Sequence, residues 1–193
     1  MEELLLFLNQ VATLEGWPLS AECLAHLRKI IKKVTLKKDE FILRSGEVCE
    51  NMYFISDGLL KCFYMLHGKQ VCEWFFGRME TVVSIGSFYD QVPGVDYMQA
   101  LQDSVLYYIT YDELNYLYRT FIEFNVVGRA LTNKYLRIWY QQARNIRMMT
   151  AEERYKYFLK TQPELVNLIS VNDLASHLDM ARETLSRMRA KVQ

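Results

Sequence analysis

Residues 169–191 read ISVNDLASHLDMARETLSRMRAK and predict two short helices joined by a tight turn. Leu174 and Leu178 fall on one face of the first helix, and Leu185 and Met188 fall on one face of the second. Two such amphipathic helices can bury their apolar faces against each other. The stretch therefore predicts a compact helical pair at the C-terminal end of the chain.

The ends of this helical pair carry further cues. Ser170 with Asp173 three residues later is a capping-box pattern for the first helix. Asp179 lies at the corner, where a residue that tolerates left-handed geometry is needed. This arrangement is typical of a helix-turn-helix, whose second helix enters the major groove of DNA. A plain helical hairpin with a solvated, arginine-rich face is the alternative.

The polar faces of the second helix suit nucleic acid. Arginine pairs with guanine through two hydrogen bonds, glutamate accepts from cytosine, and hydroxyl groups bind phosphate. The candidate DNA-binding residues are Arg182, Glu183, Thr184, Ser186, Arg187, Arg189 and Lys191. We expect Arg182, Glu183 and Arg187 to contact base edges. The other four residues are expected to position the helix on phosphate.

The charge distribution is compatible with a DNA-binding end. Residues 1–128 hold 11 Lys and Arg against 17 Asp and Glu, a net charge of −6. Residues 129–193 hold 12 against 6, a net charge of +6, so the whole chain is neutral. A basic end on an acidic body favours nucleic-acid binding but does not establish it.

Upstream of this helical pair, the pattern of apolar residues changes from one typical of helices to one typical of strands. Residues 1–35 are predicted to be helical from apolar residues at helical spacing. From about Thr35 to Ile109, short β-rich runs alternate with turn residues, which predicts a sandwich or barrel. His67-Gly68-Lys69 is predicted to be a hairpin turn, and Gly46 and Gly58 to end strands.

A long helix follows the β-rich region. Apolar or small residues recur at spacings of 4, 3, 4, 3, 4 and 3 from Leu117 to Ile138, which is a heptad pattern. This face either packs on the chain's own barrel or pairs with the same helix of a second subunit, and the second alternative is preferred. The predicted dimer-interface residues are Phe121, Phe124, Gly128, Leu131, Tyr135 and Ile138.

The break after the long helix predicts a domain boundary. Thr150 with Glu153 is a capping box that opens a new helix, so a hinge is expected within 147–150. The predicted domains are 1–147, including the long helix at about 121–146, and 148–193.

Two segments of the chain resemble one protein family. MARETLSR, residues 180–187, resembles the recognition helix of the Crp/Fnr family of bacterial transcription regulators, with Arg182, Glu183 and Arg187 at its contact positions. GEVCENMYFISDG, residues 46–58, resembles the jelly-roll domain of cyclic-nucleotide-binding proteins. Both segments occur in the family's order, with matching distances. Asp179 replaces the glycine usual at the turn, and the β-wing of many members is not expected.

The resemblance implies an α+β fold. It comprises an N-terminal double-stranded β-helix (jelly roll) barrel with flanking helices, a long dimerisation helix and a C-terminal helix-turn-helix domain. It further implies a cytoplasmic, homodimeric transcriptional regulator that binds a roughly palindromic operator in double-stranded DNA, with RNA polymerase as a further partner. A ligand-binding or signalling module that does not act on DNA is the alternative function.

The predicted effector site departs from the family. Its cyclic-nucleotide binders hold phosphate with a glutamate and an arginine, but here Ser84 stands at the glutamate position. No Arg or Lys occurs between Arg78 and Arg119. A buried phosphodiester needs a cationic partner, so cyclic AMP is not expected to bind in the family's usual way. Two alternatives follow: the barrel senses an unidentified small-molecule effector, or it is only a scaffold. Ser84, Gly86 and Ser87 either line a small pocket or form a strand bend.

Enzymatic and metal-binding functions find little support in the sequence. Cys23, Cys49, Cys62 and Cys72 follow no metal or redox spacing and are expected to be reduced, partly buried thiols. A cupin-like metal enzyme would need several histidines on the barrel, where only His67 occurs. We therefore expect no enzymatic activity, cofactor or metal. No signal peptide or membrane span is predicted either.

Overall fold

The computed structural model describes residues 1–192, apart from the side chains of residues 191 and 192. Two helices open the chain, α1 (Glu2–Leu14) and α2 (Ala21–Ile30). The Ser20 side chain caps α2 by accepting a hydrogen bond from the backbone N–H of Cys23. The buried side of α1, at Leu4, Leu8 and Ala12, faces the core.

Eight strands build two antiparallel sheets. Their bounds are β1 Lys32–Leu36, β2 Phe41–Leu43, β3 Asn51–Asp57, β4 Leu60–Leu66, β5 Lys69–Phe76, β6 Thr81–Val82, β7 Tyr97–Ala100 and β8 Ser104–Thr110. One sheet has the order β1-β8-β3-β6 and the other has the order β2-β7-β4-β5. Fully buried apolar side chains from both sheets form the first core, including Ile55, Leu60, Val82, Met98 and Leu106.

Two segments differ from the predicted pattern. Helix was expected through residue 35, but α2 ends at Ile30. The following residues form β1, which pairs with β8. Val34 and Thr35 are β-branched and therefore favour a strand. The region from Thr35 to Ile109 was expected to hold only strands and turns, but strand β6 ends at Val82. A short helix, α3 (Ile85–Asp90), follows and buries Phe88 in the core.

The predicted turns are confirmed. His67 and Gly68 both adopt positive φ, as a two-residue hairpin between β4 and β5 requires. Gly58 has φ +114°, and a Cβ atom there would lie 2.1 Å from Ser104 Oγ. Only glycine satisfies both the backbone conformation and the close approach of β8 at this point.

Gly58→Ala is expected to lower the free energy of unfolding by about 2 kcal/mol, since strain at a glycine-only conformation adds to the clash with Ser104. Urea unfolding measures the loss. Gly77→Ala is the matched control, because a Cβ atom at Gly77 meets nothing within 4 Å. Equal stability of the two variants would contradict the conclusion that only glycine fits at position 58.

Two further helices pack on the barrel. Helix α4 (Tyr111–Thr120) begins with a capping box between Thr110 and Glu113. Helix α5 (Ile122–Met148) is 27 residues long and buries Phe124 and Val127.

The remaining helices form a C-terminal module, defined here as residues 150–192. It contains α6 (Ala151–Thr161), a 3-10 turn at Pro163–Leu165, α7 (Val171–His177) and α8 (Arg182–Val192). The predicted capping box of Thr150 and Glu153 is present at the start of α6. A second core joins this module to the outer surface of the barrel; it includes Leu59, Cys72 and Phe75 from the barrel and Phe158, Leu174 and Leu185 from the module.

No helix among the described residues is long and apolar enough to cross a membrane.

Candidate functional site

Helices α7 and α8 meet at the predicted corner. Ser170 caps α7 by accepting from the Asp173 N–H, and Asp179 adopts the left-handed conformation with φ 50°. The Met180 N–H donates to the Ala175 carbonyl across the turn, and Leu185 of α8 is fully buried. The sequence thus predicted the Ser170 cap, the turn and the buried face of this helical pair correctly. The predicted capping box is only half formed, because the Asp173 carboxylate is bound by Lys61 and Gln70.

The outer face of α8 presents charged and polar groups to solvent. Arg182, Glu183, Ser186 and Arg187 are exposed. Thr184 is half-buried, and its hydroxyl accepts a hydrogen bond of 3.4 Å from Arg187. Positions 182, 183, 186 and 187 are successive neighbours on one helical face. The structure therefore brings four of the seven candidate DNA-binding residues together on one open surface.

Arg189 and Lys191 differ from these four. The Arg189 guanidinium donates to the carbonyl oxygen of Val166 at 3.0 Å, which ties α8 to the segment before α7. The Lys191 side chain lies outside the described residues.

Arg154 is a positioning residue that the sequence did not reveal. Its guanidinium donates to the carbonyl oxygens of Leu178 and Asp179 in the α7–α8 turn, at 2.7 and 2.8 Å. It also donates to the carbonyl of Met149, just beyond α5, at 2.8 Å. One side chain therefore fixes the turn relative to the end of the long helix. No local pattern marks such a role, because the carbonyls lie up to 25 residues away.

A buried ion pair fastens α7 to the barrel. Lys61 Nζ on β4 lies 3.1 and 3.2 Å from the two carboxylate oxygens of Asp173, and both side chains are at most 10% exposed. Gln70 and Ser170 donate to the same carboxylate. Beside it, the Cys72 N–H donates to the Ser176 hydroxyl at 2.9 Å. The C-terminal module is thus held on β4 and β5 by several hydrogen bonds over a shared apolar core.

His177 lies at the same junction. Its Nδ1 is 3.0 Å from the carbonyl oxygen of Glu73, and the rings of Trp74, Phe75 and Phe158 surround it. Burial lowers the pKa of His177 to about 4, and the carbonyl contact opposes this only in part. The imidazole is therefore neutral at pH 7.

A cavity of about 610 Å³ lies between the barrel, α5 and α7. Glu73 and Asp96 from the barrel line it, with Trp139 and Gln142 from α5 and His177 from α7. Partial burial and the nearby negative charge of Asp96 raise the pKa of Glu73. The described lining residues include no Lys or Arg, so the cavity offers an anionic ligand no cationic partner.

Of the three candidate pocket residues, only Gly86 lines this cavity. Ser84 is buried and donates to Asp96. Ser87 accepts from the Cys49 N–H and donates to the Val92 carbonyl. These two serines therefore hold the segment around α3 together.

The heptad seam of α5 faces the chain's own barrel. Phe121 and Phe124 are buried in the first core, and Leu131 and Ile138 pack against it. Gly128 lies against Tyr118, and the Tyr135 hydroxyl hydrogen-bonds Thr81. Within one chain these six predicted dimer-interface residues therefore have partners on the barrel or on α4, and their pairing with a second copy stays a prediction.

Comparisons with known proteins match this architecture. A family model described as "Cyclic nucleotide-binding domain" matches residues 33–121. A search of curated protein sequences finds no match to the chain.

Solved structures cover more of the chain. FixK2 from Bradyrhizobium japonicum has a TM-score of 0.73 at 18% identity, over 84% of both chains. A putative transcriptional regulator of the Crp/Fnr family from Eubacterium rectale has a TM-score of 0.70 at 16% identity, over 90% of this chain and 83% of that one. CLP, a c-di-GMP-responsive global regulator from Xanthomonas campestris, has a TM-score of 0.67 at 17% identity, over 90% of this chain and 92% of that one.

Residues 33–121 therefore match the cyclic nucleotide-binding domain, within a fold that the chain shares with solved Crp/Fnr-family regulators.

Proposed function

We propose that the protein is a DNA-binding transcriptional regulator of the Crp/Fnr type. In this proposal α7 and α8 are a helix-turn-helix, and the two four-stranded sheets form a jelly-roll sensor domain. The observation that carries the proposal is the exposed surface of α8. Arg182, Glu183, Ser186 and Arg187 share one open face, while Leu185 on the opposite face is fully buried. A recognition helix needs such an open face to lie in a major groove.

The residues of α8 have different proposed roles. Arg182, Glu183 and Arg187 contact base edges, and Ser186 contacts phosphate. Thr184 and Arg189 remain phosphate candidates, although each already has a hydrogen-bond partner in the protein. Lys191 remains a phosphate candidate on its sequence position alone.

Arg182→Ala is expected to weaken binding to a preferred duplex by about 1–3 kcal/mol, roughly 5- to 150-fold, because one bidentate base contact is lost. Fluorescence anisotropy measures the affinity, on a duplex enriched by the wild-type protein from a randomised pool. Preference should relax at a single base pair.

Lys160→Ala is the matched control, since it removes an exposed basic residue from α6 rather than α8. It should leave the base preference unchanged. Unchanged affinity and preference in Arg182→Ala would refute the docking of α8. The alternative function, a ligand-binding or signalling module without DNA, would then be favoured.

We also propose that two chains pair through α5, as the heptad pattern predicts, and that exposed residues beside the heptad seam widen the interface. Leu136, Trp139 and Ile146 are exposed apolar residues of α5. Together with Thr132 and Ala143 they follow the spacing 4, 3, 4, 3, which is that of two paired helices. A second copy of the chain is the natural occupant, because a roughly palindromic operator calls for two-fold symmetry.

Leu136→Asp is expected to convert a dimer into a monomer of 22.9 kDa, since a charge would be placed in a desolvated interface. Light scattering after gel filtration measures the mass. Leu6→Asp is the matched control, because Leu6 and Leu136 are both helical leucines with 62% exposure. A wild-type protein that is already monomeric, or a variant that stays dimeric, would refute this interface.

Control of the regulator would be a population shift. An effector that binds one arrangement of α5 and the C-terminal module better than another would change the spacing of the two α8 helices. The cavity lies where the barrel, α5 and α7 meet, so an occupant would contact all three. RNA polymerase is a further proposed partner.

A further inference from the structure

Three potential metal ligands converge in the cavity. The Cys62 sulfur, a Glu73 carboxylate oxygen and an Asp96 carboxylate oxygen all lie within 4.8 Å of one another. Ligand atoms of a tetrahedral ion bound at 2.0–2.3 Å are separated by roughly 3.3–3.8 Å, so a movement of up to about 1 Å would close this set. Cys62 is buried, Asp96 is half-buried, and Glu73 reaches the open side of the cavity.

A β-bulge directs Glu73 toward this cluster. Cys62 pairs with Trp74 and Phe63 pairs with Cys72, which leaves Glu73 as the extra residue between them. A bulge re-aims the side chain of its extra residue, and here Glu73 lies 4.0 Å from the Cys62 sulfur. The carbonyl of Glu73 meanwhile contacts His177.

The indole N–H of Trp74 is a second feature of this cavity. Its side chain lines the same cavity and is only 6% exposed, yet its indole N–H is buried without a hydrogen-bond partner. A buried tryptophan N–H normally has an acceptor. An ion with three protein ligands keeps a water or substrate oxygen in its remaining position, and such an oxygen would supply the missing acceptor.

The charges of the lining residues favour a cation. Glu73, Asp96 and Asp179 all line the cavity, and no Lys or Arg does so among the described lining residues. Lys61, which precedes Cys62 in β4, is engaged by Asp173, and Arg154 donates to backbone carbonyls of the α7–α8 turn. Two neighbouring carboxylates and a thiol are therefore left without a positive partner.

We propose that Cys62, Glu73 and Asp96 form a binding site for a divalent transition-metal ion of the Zn²⁺ or Co²⁺ type. The thiolate and the two carboxylates supply three ligands, and the thiol proton passes to solvent on binding. This proposal departs from the expectation of no metal, which rested on the cysteine spacing and on the presence of only one histidine, His67, in the barrel region. If the proposed function holds, the ion would act on Glu73, whose carbonyl contacts His177 of α7, and so would link the cavity to the DNA-binding helices.

Co²⁺ titration of the purified full chain, without DNA, tests the site separately from DNA binding. We expect a thiolate-to-cobalt charge-transfer absorption that saturates at one ion per chain and that Zn²⁺ displaces. Cys62→Ser should abolish this band. Glu73→Gln and Asp96→Asn should each weaken Co²⁺ binding by about tenfold or more. Replacing a residue that only hydrogen-bonds a metal ligand already has an effect of this size, and these two variants change a ligand itself.

Cys23→Ser and Asp90→Asn are the matched controls, because both residues lie outside the cavity lining. Both should bind Co²⁺ as the wild type does, and thermal unfolding confirms that each variant is folded. Zn²⁺ should raise the melting temperature of the wild type, whereas cyclic AMP should not. Absence of the band, its persistence in Cys62→Ser, or stabilisation by cyclic AMP alone would overturn the proposal.

Discussion

Asp173→Ala is expected to lower the free energy of unfolding by about 3–5 kcal/mol, because it leaves the ammonium group of Lys61 buried without a counter-charge. Gln70 and Ser170 would lose their acceptor at the same time. Urea unfolding at pH 7 measures the change. Because the pair joins β4 to α7, the variant should also detach the C-terminal module before the barrel unfolds.

Two further variants test whether the loss of stability comes from the buried charge of Lys61. Asp103→Ala breaks the ion pair between Asp103 and Lys37, whose side chains are 63% and 79% exposed, and should leave the stability close to that of the wild type because solvent screens such a pair. The double variant Lys61→Met with Asp173→Leu should recover most of the loss, since an apolar pair needs no compensation. A loss below 1 kcal/mol in Asp173→Ala would contradict the docking of α7 on the barrel.

Acid is expected to destabilise the same junction through His177. The folded protein keeps this imidazole neutral to about pH 4, whereas the unfolded chain protonates it below about pH 6.5. Between these values the unfolded state binds more protons, so stability is retained above pH 6.5 and lost as the pH falls. The expected loss is at most about 3 kcal/mol, complete near pH 4.

The free energy of unfolding of wild type and His177→Gln, measured from pH 8 to pH 4, isolates this contribution. Carboxylates affect both proteins alike, so the difference between the two curves reports His177. The curves should be parallel above pH 7 and diverge below pH 6.5, with the wild type falling more steeply. Curves that stay parallel throughout would show that His177 protonates equally in both states.

Local features of the fold could be predicted from the sequence. Ser170, Asp179 and the pair Thr150 and Glu153 mark caps and a turn whose partners lie within a few residues. The residues of the hairpin at His67 are likewise close together in the sequence. Such contacts depend on residue type and short spacing, which a sequence displays directly.

Contacts between distant elements could not be predicted in this way. Lys61 and Asp173 are 112 residues apart, and nothing in either segment indicates the other residue as its partner. Cys62, Glu73 and Asp96 follow no metal-binding spacing, because two neighbouring strands, a bulge and a loop bring them together. The heptad on α5 predicted an apolar seam correctly, but spacing alone does not tell a barrel from a second helix as its partner.

Recognition of a DNA sequence by α8 is tested by selection from a pool of randomised duplexes with the wild-type protein. We expect enrichment of a roughly palindromic motif whose half-sites lie about 34 Å apart, one helical turn, with G·C pairs opposite Arg182 and Arg187. Recovery of random sequences, or of no DNA at all, from a protein whose fold is confirmed would contradict it.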